Sequence, residues 1–181
     1  MPKVEYDLEE QVDRVATAMA DDFKGSIRYD AFVLSKICDS PIEVMLGSAI
    51  MAHDRIDRMV RYFGLIIAAS SEEIDYAPYA SLLIPQYKWR GYRIDFAMRL
   101  PQYRFKWLFI ECDGHNFHER TKGQAASDRS KDRLIQASGF PILRFTGSEI
   151  YRDPGACGNA VFDFIEMRID DWNPPSDEQV G

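Results

Sequence analysis

The sequence has little sulfur and little imidazole. Three cysteines, Cys38, Cys112 and Cys157, and three histidines are scattered through 181 residues. The cysteines are odd in number and widely spaced. They form neither a zinc-ligand pattern nor a disulfide framework, so a reducing, cytoplasmic setting is the default. No apolar run is long enough to span a bilayer. The start, Met1-Pro-Lys-Val-Glu-Tyr-Asp7, lacks the apolar core of a signal peptide. There is no internal repeat and no low-complexity tract.

Basic residues are also in deficit, 22 against 29 acidic ones, for a net charge of −7. A bulk figure of that sign argues against a polyanionic partner, but the distribution argues the other way. Residues 84–133 hold 11 Lys or Arg and 6 Asp or Glu, a local excess of +5, and the rest of the chain holds 11 against 23. Basic charge gathered in one stretch is the footprint expected for binding a nucleic acid.

That stretch contains the acids that matter most. Trp107-Leu-Phe-Ile-Glu-Cys-Asp-Gly-His-Asn-Phe-His118 is an apolar strand ending in Glu111-x-Asp113, a glycine and two of the three histidines. The preceding strand candidate carries Asp95 between Ile94 and Phe96. An aspartate there has low strand propensity and is costly to bury unpaired. Two strands delivering Asp95 and Glu111 suit a hard cation such as Mg²⁺ or Mn²⁺. Such an ion takes oxygen ligands, keeps several waters and shares substrate phosphate. It can offset charge on a scissile phosphate and generate hydroxide. Asp113, two residues on from Glu111, faces the same side and could position water. The plainer account makes each acid a strand-end or turn residue, since Asp113-Gly114 is a good turn dipeptide.

Around these acids the pattern predicts alternating elements. An acidic amphipathic helix spans about Leu8 to Phe23, followed by an apolar segment from Ala31 to Ile37. Ser40-Pro-Ile-Glu43 reads as a capping box that opens a helix to about Arg58. Phe63 to Ala68 is ambiguous. Strands are expected over Ser81–Lys88, with Pro85 marking an edge or bulge, and over Tyr92–Met98 after a Trp89-Arg-Gly91 turn. Leu100 to Tyr103 is a loop and Arg104–Glu111 the next strand. A helix over Thr121–Ser138 stops at Gly139, and Phe140–Phe145 is a strand parallel to the Glu111 strand through a βαβ crossover. Ser148 is expected to cap a short turn that Asp153-Pro154 breaks, and a last helix covers Asn159–Ile169. The division is an acidic N-terminal extension over 1–37, a main domain over 38–172 and a loose tail over 173–181. The N-terminal helix is a candidate for homodimerisation or for a protein partner.

In this order, Gln86, Gly91-Tyr-Arg-Ile-Asp-Phe-Ala97, Phe109-Ile-Glu-Cys-Asp-Gly114, Asp128-Arg-Ser-Lys-Asp-Arg133 and Gly139-Phe-Pro-Ile-Leu-Arg-Phe-Thr146 resemble the PD-(D/E)xK nuclease superfamily. Within it they are most similar to the small proteins related to very short patch repair endonucleases. The resemblance covers about residues 40–154. It implies an α/β fold, a mixed sheet with flanking helices in the restriction-endonuclease-like arrangement. It also implies a metal-dependent endonuclease acting on DNA, with RNA the less expected substrate, and Mg²⁺ or Mn²⁺ as cofactor. By position, Glu43 matches the helical Glu, Asp95 the Asp and Glu111 the Glu, with the Cys112 carbonyl a further metal ligand and Gln86 beside the site.

The motif's lysine is replaced here by Asp113. Lys122 or Lys131 could supply a migrated cation, although a solvated helix face is the simpler account of each. Glu43 is equally explained as the capping partner of Ser40. Lys88, Arg90, Arg120, Lys122, Arg129 and Lys131 are candidates for phosphate contacts, and His115 and His118 for phosphate binding or general acid work. Trp89 could stack on a base or cover the core edge. Cys112 reads as a buried strand residue and not as a nucleophile. The missing lysine and the overall acidity leave one alternative, a nuclease-fold protein without catalysis that binds nucleic acid or a protein.

Overall fold

A computed structural model describes residues 8–57, 64–76, 78–114 and 122–168, with the backbone alone for 8–11, 57, 71 and 122–127. The core is a five-stranded mixed sheet flanked by helices, the α/β arrangement that the sequence predicts. In chain order the elements are α1 (Leu8–Leu34), α2 (Pro41–Asp57), β1 (Ile66–Ile67), α3 (Ser71–Tyr76), β2 (Leu82–Trp89), β3 (Tyr92–Arg99), β4 (Trp107–Asp113), α4 (Lys122–Ser138), β5 (Ile142–Thr146), α5 (Gly147–Arg152) and α6 (Pro154–Glu166). The strands lie in sequence order across the sheet. β2, β3 and β4 are antiparallel neighbours, and the two outer pairs, β1–β2 and β4–β5, are parallel. The parallel β4–α4–β5 unit is the crossover expected from the sequence.

Two apolar layers cover the sheet. On one face Leu83, Phe96, Met98, Leu108 and Ile110 pack against Leu34 of α1, Leu46 and Ile50 of α2, and Val161, Phe162 and Ile165 of α6. On the other, Leu82, Ile84, Ile94, Ala97 and Phe109 pack with Ile135 of α4. Gly47 of α2 marks the closest approach, since a Cβ there would lie 2.8 Å from Leu34 and 2.9 Å from Phe96. Adding that methyl overpacks a filled core.

Several boundaries differ from expectation for local physical reasons. α1 does not stop near Phe23 but runs on through Leu34, because its last turns have something to pack on. Leu34 is fully buried, and Asp30 forms a forked ion pair with Arg55 of α2. Turns 12–22 of the same helix are exposed all round. β4 starts at Trp107, three residues later than expected. Leu100–Lys106 closes on itself through the Leu100 N–H to Lys106 carbonyl bond of 2.8 Å, and Lys106 adopts φ +55°. Thr146, not Ser148, caps α5, its hydroxyl accepting from Glu149 N–H while Glu149 reaches back to the Thr146 N–H. α6 begins at Pro154 instead of Asn159, capped by Asp153 with proline in the first turn.

The turn expected at Trp89-Arg-Gly91 is a two-residue hairpin. Trp89 pairs with Tyr92, and Arg90 and Gly91 both have positive φ, +47° and +83°. That conformation matches the twist of antiparallel strands. Pro85 lies where β2 has no strand on its outer side among the described residues, since β1 pairs only with Leu82 and Leu83. A residue without an N–H is tolerated at such an open edge.

Candidate active site

Two interruptions of the sheet create the site. The first lies between β2 and β3. Ile84, Tyr87 and Trp89 all join the α4-side layer, although simple alternation would put Ile84 and Tyr87 on opposite faces. Ile94 and Ala97 of β3 show the same change of phase. The pairing continues on either side, Pro85 with Phe96 and Tyr87 with Ile94, so the change falls at Gln86 and Asp95. Gln86 takes φ +53°, a costly conformation for a residue with a side chain. One result is that Gln86 reaches α2, where its amide donates to Glu43 Oε2 at 2.5 Å.

The second interruption is where β3 and β4 part. Their pairing runs from Arg99–Trp107 to Phe96–Ile110 and ends. The next pair in that register would be Asp95 and Glu111. In place of a backbone acceptor, the Asp95 carboxylate takes the Cys112 N–H at 2.7 Å. A carboxylate has thus replaced a rung of the sheet at the point where two acids meet.

Glu43 enters from the first turn of α2 and is 6% exposed. Its carboxylate accepts from the Ser40 hydroxyl at 2.7 Å, the Asp39 N–H at 3.1 Å and Gln86. It therefore makes the capping contacts and sits beside the acid cluster at the same time. On the opposite side Lys131 of α4 donates to Glu111 Oε2 at 2.7 Å, with side chains only 13% and 8% exposed. The solvated helix face expected for Lys131 is corrected by this contact. Eighteen residues of sequence beyond Asp113 bring back an ammonium to the acid, because the crossover helix packs across β4. The other acid of the strand end, Asp113, pairs with Arg144 at 3.4 Å, and Arg144 also binds Asp132 of α4. Arg144 lies directly beside Glu111 in the parallel β4–β5 register. Sequence reasoning passed over it, although an arginine between Leu143 and Phe145 in a strand parallel to Glu111 was a usable signal.

The electrostatics divide the site. Burial, then the neighbouring Glu111 charge, push Asp95 up to about 7 from 3.8, against the pull of the Cys112 N–H. Burial also raises Glu111, opposed by Lys131. Cys112 is held as a neutral thiol, raised by burial and by Asp95, which fits its reading as a strand residue and not a nucleophile. Two acceptor atoms of the site, Glu111 Oε1 and Gln86 Oε1, are buried without a hydrogen-bond partner among the described residues.

The remaining expected residues are dispersed. Lys88 and Arg90 are exposed near the hairpin, with Arg90 over the Trp89 ring at 5.2 Å. Trp89 covers the core edge, in edge contact with Phe109 at 5.4 Å and Phe140 at 6.2 Å. Arg129 is exposed on α4. Lys122 is the first residue of α4, and its side chain lies outside the described residues. His115, His118 and Arg120 lie outside them as well. The described histidine, His53, stacks on Phe162 at 4.3 Å in the α2–α6 seam. Among the described residues no group of three or more His, Cys, Asp or Glu is close enough to hold a metal, and no helix is long and apolar enough to cross a membrane.

Comparison with known proteins gives one result. The family model REase_MTES_1575, of restriction endonuclease-like type, matches residues 73–165, just over half of the chain. The match takes in Gln86, Asp95, Glu111, Lys131 and Arg144 and leaves Glu43 outside. No curated protein and no solved structure matches the chain.

Proposed function

The chain belongs to the restriction endonuclease-like family REase_MTES_1575, and from that premise we propose that it is a divalent-metal-dependent endonuclease that hydrolyses phosphodiester bonds in DNA. The observation that carries the proposal is the meeting of Asp95 and Glu111 at the parting of β3 and β4, with Lys131 Nζ 2.7 Å from Glu111. The likeness of the ordered motifs to very short patch repair endonucleases belongs to the same proposal.

The donor set fits Mg²⁺ or Mn²⁺. Such ions are commonly held by one or two carboxylates, with water and substrate phosphate completing the shell. Asp95, Glu111 and the Cys112 carbonyl are the donors in this reading. Glu111 Oε1 offers a buried acceptor that no group among the described residues fills, and a cation would offset the burial and the neighbouring Glu111 charge that raise Asp95. Once bound, the ion supplies Lewis-acid stabilisation of the phosphate and lowers the pKa of water.

The protein's own groups divide the rest of the work. Lys131, held by Glu111, supplies the cation that the motif's missing lysine would have given and stabilises charge on the scissile phosphate. Asp113, steadied by Arg144, orients the attacking water. Glu43 fixes Gln86 and, through it, the strained turn of β2 that sets Asp95. Lys88, Arg90 and Arg129 contribute contacts to phosphates away from the cut, which give affinity and salt dependence without sequence choice.

Incubation with supercoiled plasmid and Mg²⁺ or Mn²⁺ tests the reading. Nicking by wild type is expected, with a loss of a hundredfold or more, on the order of a lost electrostatic group, in Asp95→Ala and in Glu111→Ala. No nicking with either metal, or nicking unaltered in both variants, overturns it. Salt-dependent DNA binding without cleavage would mark the chain as the non-catalytic binder instead.

A further inference from the structure

We propose that the outer half of α1 is a self-association surface, on which a second copy of this chain docks as an antiparallel helix pair. The pairing is independent of the nuclease reading. Val12, Ala16, Met19 and Phe23 fall on one face of α1, at spacings of four, three and four residues. The same spacing leads on from Phe23 through Ile27 and Asp30 to Leu34. A pattern that repeats after 11 residues keeps its seam nearly straight along an α-helix. The inner end of this seam is closed by the fold. Leu34 is fully buried, and Asp30 is 3% exposed and paired with Arg55 of α2. The outer end is bare, with Val12 64% and Met19 67% exposed, and Val15 beside them at 59%. Helices in proteins draw most of their stability from packing an apolar face, and residues 12–22 have theirs in water.

The charge along α1 selects the occupant. Residues 8–22 hold five acids and one base. Residues 23–34 hold Lys24, Arg28 and one acid, Asp30, which Arg55 already takes. Two copies set side by side in parallel would stack acid on acid. Reversed, the acidic half of each meets the basic half of the other. The tail over 169–181 is a poorer occupant, because it holds Asp170, Asp171, Asp177 and Glu178 and no base. DNA is repelled by the same acids.

The apolar seam is self-complementary in the reversed arrangement. A two-fold axis between Thr17 and Ala18 sets Val12 opposite Phe23 of the second copy and Ala16 opposite its Met19, a smaller side chain against a larger one each time. Asp13 and Lys24 lie on one flank of the seam, since 11 residues is close to three whole turns. The same axis brings Lys24 of one copy to within about 3 Å, along the helix, of the level of Asp13 in the other. The two folded bodies stay apart, because each hangs from the Phe23 end of its own helix. The paired stretch from Val12 to Phe23 is about 17 Å long. That is short of the roughly 1,200 Å² of a standard stable interface, so the expected Kd is on the order of 10 μM.

Sedimentation equilibrium of the full chain at low salt, from about 1 to about 200 μM, tests the pairing. The mass is expected to rise from 20.9 kDa towards twice that value across the range. Met19→Asp puts a charge in the middle of the seam and is expected to stay at the mass of one chain throughout. Met19 is exposed in the single chain, so the variant should melt at the wild-type temperature when both are dilute. Lys24→Glu is expected to weaken association about tenfold, and Asp13→Lys added to it should recover the loss, since reversing both charges restores the attraction. A mass of one chain at every concentration leaves the seam to a different protein and overturns the inference. A dimer that survives Met19→Asp has its interface elsewhere and overturns it too. A Lys24→Glu loss that Asp13→Lys does not recover overturns the antiparallel arrangement.

Discussion

The two sides of the acid cluster differ in charge. Towards α4, Glu111 and Asp113 each meet a cation, Lys131 and Arg144. Towards α2, Glu43 and Asp95 meet neutral donors, namely Ser40, Gln86 and the N–H groups of Asp39 and Cys112. All four acids gather where β3 and β4 part, three from the sheet and Glu43 from the first turn of α2, so a shared location does not explain the difference. What differs is the β4–α4–β5 crossover, which presents Lys131 of α4 and Arg144 of β5 to one side only. The α4 side is equipped to meet phosphate. The α2 side keeps a negative charge that a bound metal ion would neutralise.

Breaking the cation-rich half gives the largest effect. Lys131→Met leaves Glu111 buried and unpaired, and removal of one partner of a buried ion pair costs about 3–5 kcal/mol. Thermal unfolding in EDTA should show that loss, and Glu111→Gln added to Lys131→Met should recover most of it. In cleavage assays Lys131→Met should lose on the order of a hundredfold, the scale of one electrostatic group at a reacting centre. A single variant with unchanged stability and unchanged rate would show that the 2.7 Å contact serves neither half.

Breaking the cation-poor half should have the opposite sign. The Asp95 carboxyl is raised to about 7 in the folded chain, against an ordinary 3.8. Between those values the folded state holds the proton that the unfolded state has released, so stability falls as pH rises through that window. The full penalty is present above pH 7 and absent below about pH 4. Asp95→Asn keeps the acceptor for Cys112 N–H and removes the charge. It should therefore stabilise the metal-free protein at pH 8, by up to about 4 kcal/mol on a scale of 1.36 kcal/mol per pKa unit. That gain should fade towards pH 4 while cleavage is lost at every pH. A gain independent of pH would show that Asp95 is not the group being titrated.

The same contrast explains what could be read from sequence. Asp95 and Glu111 stood out because acids are rare inside apolar strands, and the antiparallel–crossover–parallel order followed from turn signals and periodicity. The capping box at Ser40 and Glu43 was equally legible, because its contacts span only four residues. Lys131 could not be separated from other helical lysines. Its role depends on which face of α4 lies on β4, and α4 is strongly polar along its length. The phase change at Gln86 and Asp95 left no trace in the pattern, because both strands shift together and the register is preserved. Arg144 was hidden for a simpler reason. Its acid partners, Asp113 and Asp132, lie on two other elements, and only the packed sheet brings them together.

Glu43 gives the smallest and sharpest test, because it belongs to the helix cap and to the cluster together. Ser40→Ala removes the hydroxyl that binds its Oε1 but leaves the Asp39 N–H and the Gln86 amide in place. Loss of a cap residue costs about 1 kcal/mol. If Glu43 matters to the site through Gln86, Ser40→Ala should lower the melting temperature and change the cleavage rate by no more than a few-fold. Glu43→Ala, which also frees Gln86, should lose at least tenfold more activity at a similar stability cost. Equal activity losses in the two variants would assign Glu43 to the cap alone. The acid cluster would then rest on Asp95, Glu111 and Asp113, with the α2 side reduced to the wall that shields Asp95 from water.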